Sequence, residues 1–324
     1  MAKPKILKAI LLIIVVFLPA LGCGSQSISD DYTTPPMVLR LAETYSEEHP
    51  SALATQKFAD LVYEQTDGHI QIKVYYNGEL GNEAEVLEQL QFGGIALARV
   101  NLLALSDVVI MLQDYIKPFI YPTPDDILNT FADQDENISS AAQLEKLVPL
   151  VWYYPDIRCF YNNKTVIHDV DDFNGLKLQS SISNAMTEII SQMGSEPVNI
   201  LTGDTFKSLD RGFMDGGESS FCSFLLSDVY AMVPYVSISD YLYCPDVILG
   251  SGVTFSKIKR NDQELIIKCA KETFEYQKTM LLDLQMKGLK RLEEKGAIIE
   301  DSDILDTSIR EHFDATKING VTHD

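Results

Sequence analysis

The chain has 324 residues, 46% hydrophobic and 23% charged, a globular composition that excludes a collagen-like, wholly disordered or disulfide-dense protein. Its 26 Lys and Arg stand against 47 Asp and Glu, giving a net charge of −21 and a pI near 4.5. So acidic a surface repels phosphate backbones and argues against nucleic-acid binding, while the length suggests about two domains of roughly 150 residues.

The N-terminal segment carries Lys3, Lys5 and Lys8, then ten unbroken apolar residues from Ala9 to Leu18. Ten is about half of what a helix needs to span a bilayer, and a basic start with a short apolar run describes an export signal. The following Ala20-Leu21-Gly22-Cys23 resembles the lipobox of bacterial lipoproteins, with alanine where that motif usually has leucine. The resemblance implies a signal peptide over 1–22, lipidation of Cys23 as the mature first residue, and an exported, membrane-anchored protein. The alternative is a plain secretory signal with a chance cysteine. Loss of the three lysines would take the charge from −21 to −24. Residues 23–36 are short, polar and proline-ended, a tether composition.

Val38–Ala42 reads as a strand, Ser51–Gln65 as a helix stopped at Asp67-Gly68, and Ile70–Tyr75 alternates as a half-buried strand does. Asn82–Phe92 reads as a helix stopped by Gly93-Gly94, and Ile95–Val100 as a strand; this order implies a parallel sheet with crossover helices. Residues 111–124 are aromatic and proline-punctuated, and a helix is expected over Asp125–Glu136. Strands follow at Leu150–Tyr154 and Ile157–Tyr161, a turn at Asn174-Gly175, and helices at Asn184–Met193 and Gly203–Gly212. Ser219–Phe224 and Tyr241–Phe255 read as irregular or strand-like. Asp262–Lys295 reads as one helix of roughly 50 Å, long enough to cross both domains. Cys159, Cys222, Cys244 and Cys269 show neither CxxC nor zinc spacing, and no disulfide among them is expected, with Cys269 a buried small apolar residue.

Several blocks together resemble the solute-binding proteins of tripartite ATP-independent periplasmic (TRAP) transporters, over roughly residues 37–300. They are TDGHIQIKVYYNGELGNEAEVLEQLQFGG, IALARVNLLALSDVV with IKPFIYP, IRCFYNNKTVIHDVDDFNGLKLQ, and RGFMDGGESS. The resemblance implies a two-lobed α/β periplasmic-binding-protein-like fold with the ligand in the cleft and a long C-terminal helix crossing both lobes. Each lobe would be discontinuous, 37–156 plus 247–285 and 157–246 plus 286–324. It also implies a small-molecule ligand, separate membrane permease subunits as partners, and no cofactor.

Arg158 is the family position that contacts the ligand's anionic group, and a guanidinium fork matches a carboxylate in two parallel hydrogen bonds. Gln179 stands where the family usually has a carboxylate-clamping arginine; an amide offers donors and an acceptor but no charge. Arg99 and Asn101 alternate onto one face near a strand's carboxyl end, where open α/β sheets place ligands. Glu218, Ser219 and Ser220 follow the DGG segment, which reads as a turn whose glycines supply positive φ. Tyr153, Tyr154, Phe221 and Tyr243 are candidate cleft walls.

No GxGxxG, Walker A, HExxH, GxSxG or EF-hand pattern occurs, and the histidines lack paired ligand spacing, so neither a metal site nor catalysis is expected. The expected function is capture of a small organic acid for a TRAP-type permease. Alternatives are the same role for a neutral or non-carboxylate metabolite, a surface hydrolase using Asp215 and Glu218, or a signalling lipoprotein.

Overall fold

The computed structural model describes residues 36–180, 183–200, 202–300 and 302–318; Cys23 and nearly all of the tether lie outside them. Strand β1 (Met37–Ala42) and strand β2 (Ile70–Tyr75) flank a helix at Pro50–Gln65, which starts at an extended His49 with Pro50 in its first turn. In β2, Ile70 and Ile72 are buried while Gln71 and Lys73 are exposed, the alternation that covers one face of a sheet. A helix at Glu83–Phe92 follows, closed by a capping box between Asn82 and Glu85. Strand β3 (Leu97–Asn101) is buried along its whole length.

Helices at Pro124–Asp133 and Asp135–Leu144 lead to β4 (Leu147–Trp152), and the chain then passes to β5 (Arg158–Asn162). Next come β6 (Lys177–Gln179), a helix at Asn184–Gln192, β7 (Glu196–Val198) and β8 (Gly216–Ser220). After β8 the helix Phe221–Leu226 precedes β9 (Tyr235–Ser239), and a second crossing leads to β10 (Asp246–Ser251). Helices at Arg260–Glu272 and Phe274–Glu294, β11 (Ile298–Glu300) and a helix at Ser302–Ile318 complete the described chain.

Two sheets result. The first has the order β2-β1-β3-β10-β4 and the second β11-β9-β5-β8-β6-β7. β1 runs parallel to β2 and β3, as the strand–helix–strand order requires, and β10 returns antiparallel between β3 and β4. In the second sheet β5 is antiparallel to both neighbours, β8 and β9. The expected two-sheet α/β binding-protein architecture is therefore present. A hydrophobic core runs through both halves: Val100 and Leu105 belong to the same buried cluster as Phe160, Phe173 and Leu178.

The long C-terminal helix is present as two joined segments, and three other expectations change. The long helix is two helices joined at Thr273, whose hydroxyl bonds the Ala270 carbonyl (2.6 Å) and the Tyr153 hydroxyl (2.9 Å). Its second part still reaches both halves, packing on the helix at 50–65 and on the helix at 221–226. There Gly288 is required, because a Cβ would lie 2.0 Å from Leu225 Cδ1. Ser219–Phe224 divides between the end of β8 and the start of a helix, and Tyr241–Phe255 contains β10 and a short helix at Gly252–Phe255. Finally, Gly216 and Gly217 have no positive φ; they are strand residues, and a Cβ on Gly216 would meet the Tyr161 carbonyl at 1.9 Å. Close approach of β8 to β5, not turn geometry, is what demands them. The strands β7, β9 and β11 and the helices at 135–144 and 302–318 are not among the expected elements, although Leu305, Ile309 and Phe313 recur every fourth residue along the last and are buried.

The four described cysteines are buried free thiols, Cys269 among them. Among the described residues no helix is long and apolar enough to cross a membrane.

Candidate functional site

The carboxyl ends of β1, β3 and β4 and the start of β10 form one edge of the first sheet. The carboxyl ends of β6, β8 and β9 and the start of β5 form the corresponding edge of the second. Such edges are where open α/β sheets bind ligands. Two connections, Tyr153–Ile157 and Asp240–Pro245, link them. Side-chain contacts also join the halves: Asn184 bonds Asp107 through Nδ2 (3.3 Å), and His49 Nε2 lies 3.3 Å from Ser223 Oγ.

At the first edge Arg99 is fully buried among the carboxylates of Glu43, Glu83 and Asp246. Nε donates to Glu43 Oε1 (2.9 Å), and Nη1 to Glu83 Oε1 (2.6 Å) and Asp246 Oδ1 (3.3 Å). Nη2 donates to Thr44 Oγ1 and lies 2.8 Å from Glu43 Oε1 as an ion pair, with the guanidinium carbon 3.6 Å from the Tyr45 ring centroid. Burial works against the charge on Arg99, but Glu43 and Asp246 outweigh it and hold the guanidinium firmly protonated. Burial raises the carboxyls of Glu43 and Glu83, and Arg99 opposes that rise. Arg99 therefore ties β1, β3, β10 and the helix at 83–92 together and, with no exposed surface, presents no open edge at the site. Asn101 is similarly occupied: Nδ2 donates to the Cys244 carbonyl and to Asp246 (both 3.0 Å), and Oδ1 accepts from Leu103 N (3.1 Å).

At the second edge Arg158 and Glu218 form a buried bidentate pair, Nε to Oε1 and Nη2 to Oε2, both 2.5 Å. They share a face because the register pairs Arg158 with Ser220 and Phe160 with Glu218. Tyr241 donates to Glu218 Oε1 (3.0 Å), and burial with the Glu218 charge pushes that phenol far up. Nη1 of Arg158 bonds none of the described residues. Every fully buried side-chain nitrogen or oxygen among those residues has a partner, so Nη1 lies at accessible surface. Nη1 and the second N–H of Nη2 thus form the edge of the guanidinium that Glu218 leaves without an acceptor among the described residues.

Gln179 lies on the opposite face of the same sheet, since it pairs in register with Gly217, and Gly217 with Tyr161. Its amide donates to the Ile200 carbonyl (2.7 Å) and Thr205 Oγ1 (2.9 Å), and Tyr161 donates to it (3.3 Å). Gln179 and Arg158 therefore do not converge. Ser219 shares the Cys159 face, whereas Ser220 stands beside Arg158 and donates to Ser223 Oγ (2.8 Å). Phe221 and Tyr153 are fully buried and Tyr243 nearly so, which makes them packing rather than open walls. Asp215 accepts from Lys177 N (3.0 Å) and pairs with Lys164, so it anchors a turn instead of converging with Glu218. His49, Ser223 and Tyr241 escaped sequence reasoning; the one available signal was His49 before Pro50, a helix start. Among the described residues no group of acidic, histidine and cysteine side chains is arranged to hold a metal.

A solute-binding protein of Chromohalobacter salexigens is 25% identical over 256 residues, covering 79% of this chain and 76% of its own length. A TRAP periplasmic solute-binding protein from Sulfitobacter, solved with bound β-D-galacturonate, superposes with a TM-score of 0.81 at 21% identity, covering 87% of this chain and 94% of that one. A second, from Chromohalobacter salexigens with bound D-glucuronate, gives a TM-score of 0.81 at 23% identity, covering 87% and 93%. A family model matches residues 41–315, and the chain belongs to that family, the bacterial extracellular solute-binding proteins of family 7.

Proposed function

We propose that this protein captures a small organic acid between its two sheets and delivers it to a TRAP-type membrane permease. The observation that carries the reading is Arg158: buried, permanently charged, and with the N–H groups of its Nη1/Nη2 end not taken by Glu218. Because Glu218 occupies the Nε and Nη2 side edge, the ligand carboxylate meets the guanidinium end-on, at Nη1 and the second N–H of Nη2, beside Ser220. The sugar acids held by two solved relatives are of a size and charge that suit such a contact. Glu43, Glu83 and Asp246 lie across at the first edge, with Glu83 partly exposed, where a carboxylate accepts from a polyol's hydroxyls. Residues 37–156 with 247–285, and 157–246 with 286–324, act as two lobes, and the ligand favours the closed arrangement by its differential affinity. Cys23 carries the lipid that holds the protein at the membrane; C23S is expected to move it from the membrane to the soluble fraction.

A second reading keeps the binding role for a neutral solute. Glu218 cancels the charge of Arg158, and Gln179 supplies an amide where the family usually has a clamping arginine. A thermal-shift screen of sugar acids against their amides and neutral sugars decides. At about 1,000 times its dissociation constant a ligand stabilises by about 4 kcal/mol, a shift of about 2–4 °C per kcal/mol. A shift with acids and none with their amides supports the carboxylate at Arg158. A shift with neutral compounds alone replaces it.

A further inference from the structure

His49 is buried at the junction of the two halves and has a defined partner on each ring nitrogen. Nδ1 accepts the Ser51 backbone N–H (3.2 Å) at the start of the helix at 50–65. A nitrogen that accepts carries no proton, so in the neutral ring the proton sits on Nε2. Nε2 faces Ser223 Oγ (3.3 Å), on the helix that follows β8 in the other half. Ser223 Oγ thus receives His49 Nε2–H and the Ser220 hydroxyl (2.8 Å). An oxygen accepting twice has both lone pairs engaged. Its own proton has no acceptor among the described residues, and Ser223 is partly exposed.

The geometry points to His49 as a positioning residue that completes the ligand site across the halves: it sets the Ser220–Ser223 pair so that Ser223 offers a donor and Ser220 an acceptor to the solute. The inference rests on the proposed binding role for the choice of ligand, not for the hydrogen-bond relay itself. The relay exists only when the halves meet, so it rewards closure. It also requires a neutral ring. A protonated His49 would direct an Nδ1–H at the Ser51 N–H, two donors facing each other.

The surroundings agree. The Tyr45 ring lies 3.8 Å from the imidazole centroid, and Arg99 stacks on the far side of Tyr45. Asp246 accepts from Ser51 Oγ (2.7 Å) and from the Tyr45 hydroxyl (3.5 Å), which stand between it and the imidazole. Burial lowers the His49 pKa well below its ordinary value, and the positive charge of Arg99 lowers it further. With the halves apart the ring takes a proton near pH 6.5, as a free histidine does. Closing on the ligand then expels that proton, so affinity is constant at alkaline pH and weakens by up to about tenfold per pH unit below about 6.5.

The test uses the whole protein in two measurements. Nitrogen-15 histidine NMR reads the tautomer, with the His49 signal assigned by its loss in H49Q. An unprotonated Nδ1 with Nε2–H persisting below pH 6 supports the relay; an Nδ1–H tautomer, or ordinary titration with ligand bound, overturns it. Calorimetry with D-glucuronate at pH 5.5 to 8, in buffers of different ionisation enthalpy, reads the coupling. Near pH 6 wild-type protein is expected to release a fraction of a proton per ligand. H49Q, whose amide still donates to Ser223, is expected to bind with a flat pH profile and no release. Equal pH profiles for wild type and H49Q overturn the inference. Should neither D-glucuronate nor another acid bind, the organic-acid reading fails and the tautomer alone decides the relay.

Discussion

Arg158 and Glu218 show how one contact serves both stability and binding. Truncating either leaves the other buried and unpaired, a loss of about 3–5 kcal/mol, whereas replacing both with apolar residues of similar volume is often neutral or stabilising. R158A is therefore expected to lower the melting temperature markedly, and R158M/E218L to recover most of it. Ligand binding should be lost in both, because each removes Nη1. Calorimetry beside thermal melts separates the effects; binding by the double variant would show that the carboxylate sits elsewhere. Arg158 and Glu218 were legible as candidates from the order of the motifs. Their mutual pairing was not, because it depends on the β5–β8 register, which brings together residues 60 apart. The surroundings of Arg99 were hidden for the same reason: Glu43 and Asp246, which bond it, come from distant chain.

At the scale of elements, the helix at 274–294 grips the first connection with two buried glutamines two turns apart. Gln277 pairs like a peptide group with Tyr154, accepting from its N–H (3.0 Å) and donating to its carbonyl (3.1 Å). Gln285 donates to Asp156 Oδ1 (2.6 Å), and Asp156 Oδ2 accepts from Cys222 N (2.7 Å) at the start of the helix at 221–226. Q277A is expected to cost about 1–3 kcal/mol by stranding those backbone groups, seen as a lower denaturant midpoint. Burial pushes the Asp156 carboxyl up to about 6, against the donors Gln285 and Cys222. The folded chain thus holds this proton more tightly than the unfolded chain, where a free aspartate titrates near 3.9. Its contribution is fully favourable below about pH 4 and disappears as pH rises through 6, a difference of about 3 kcal/mol. D156N, with the Gln285 amide reversed, should remove that part of the decline between pH 4 and 7. Identical pH–stability curves for the two proteins would sink the assignment. The helix itself was readable from its apolar spacing; the break at Thr273 and the glutamine grip were not, since polar residues on a helix announce no partner.

Over the whole molecule, the chain visits the first sheet, the second, the first again for β10, and the second again for β11. Neither half is a continuous segment, and one buried cluster holds residues of both. Unfolding is therefore expected as a single calorimetric transition, with equal calorimetric and van't Hoff enthalpies and a midpoint raised by ligand. Two resolved transitions would mean that the shared core couples the halves only weakly.

What the sequence by itself determined is what local chemistry encodes: the strand–helix alternation of the first hundred residues, the helix starts at Pro50 and Asn82, and the ordered motifs that carry the family. Strand period and capping act within a few residues, so one chain segment suffices to read them. Tertiary structure alone decided which polar groups remain open. Gln179 faces away from Arg158, Arg99 is enclosed by three carboxylates, and His49 meets Ser223 across 174 residues of chain. Sheet register and the meeting of distant edges govern hydrogen-bond satisfaction, and neither leaves a local pattern in the sequence.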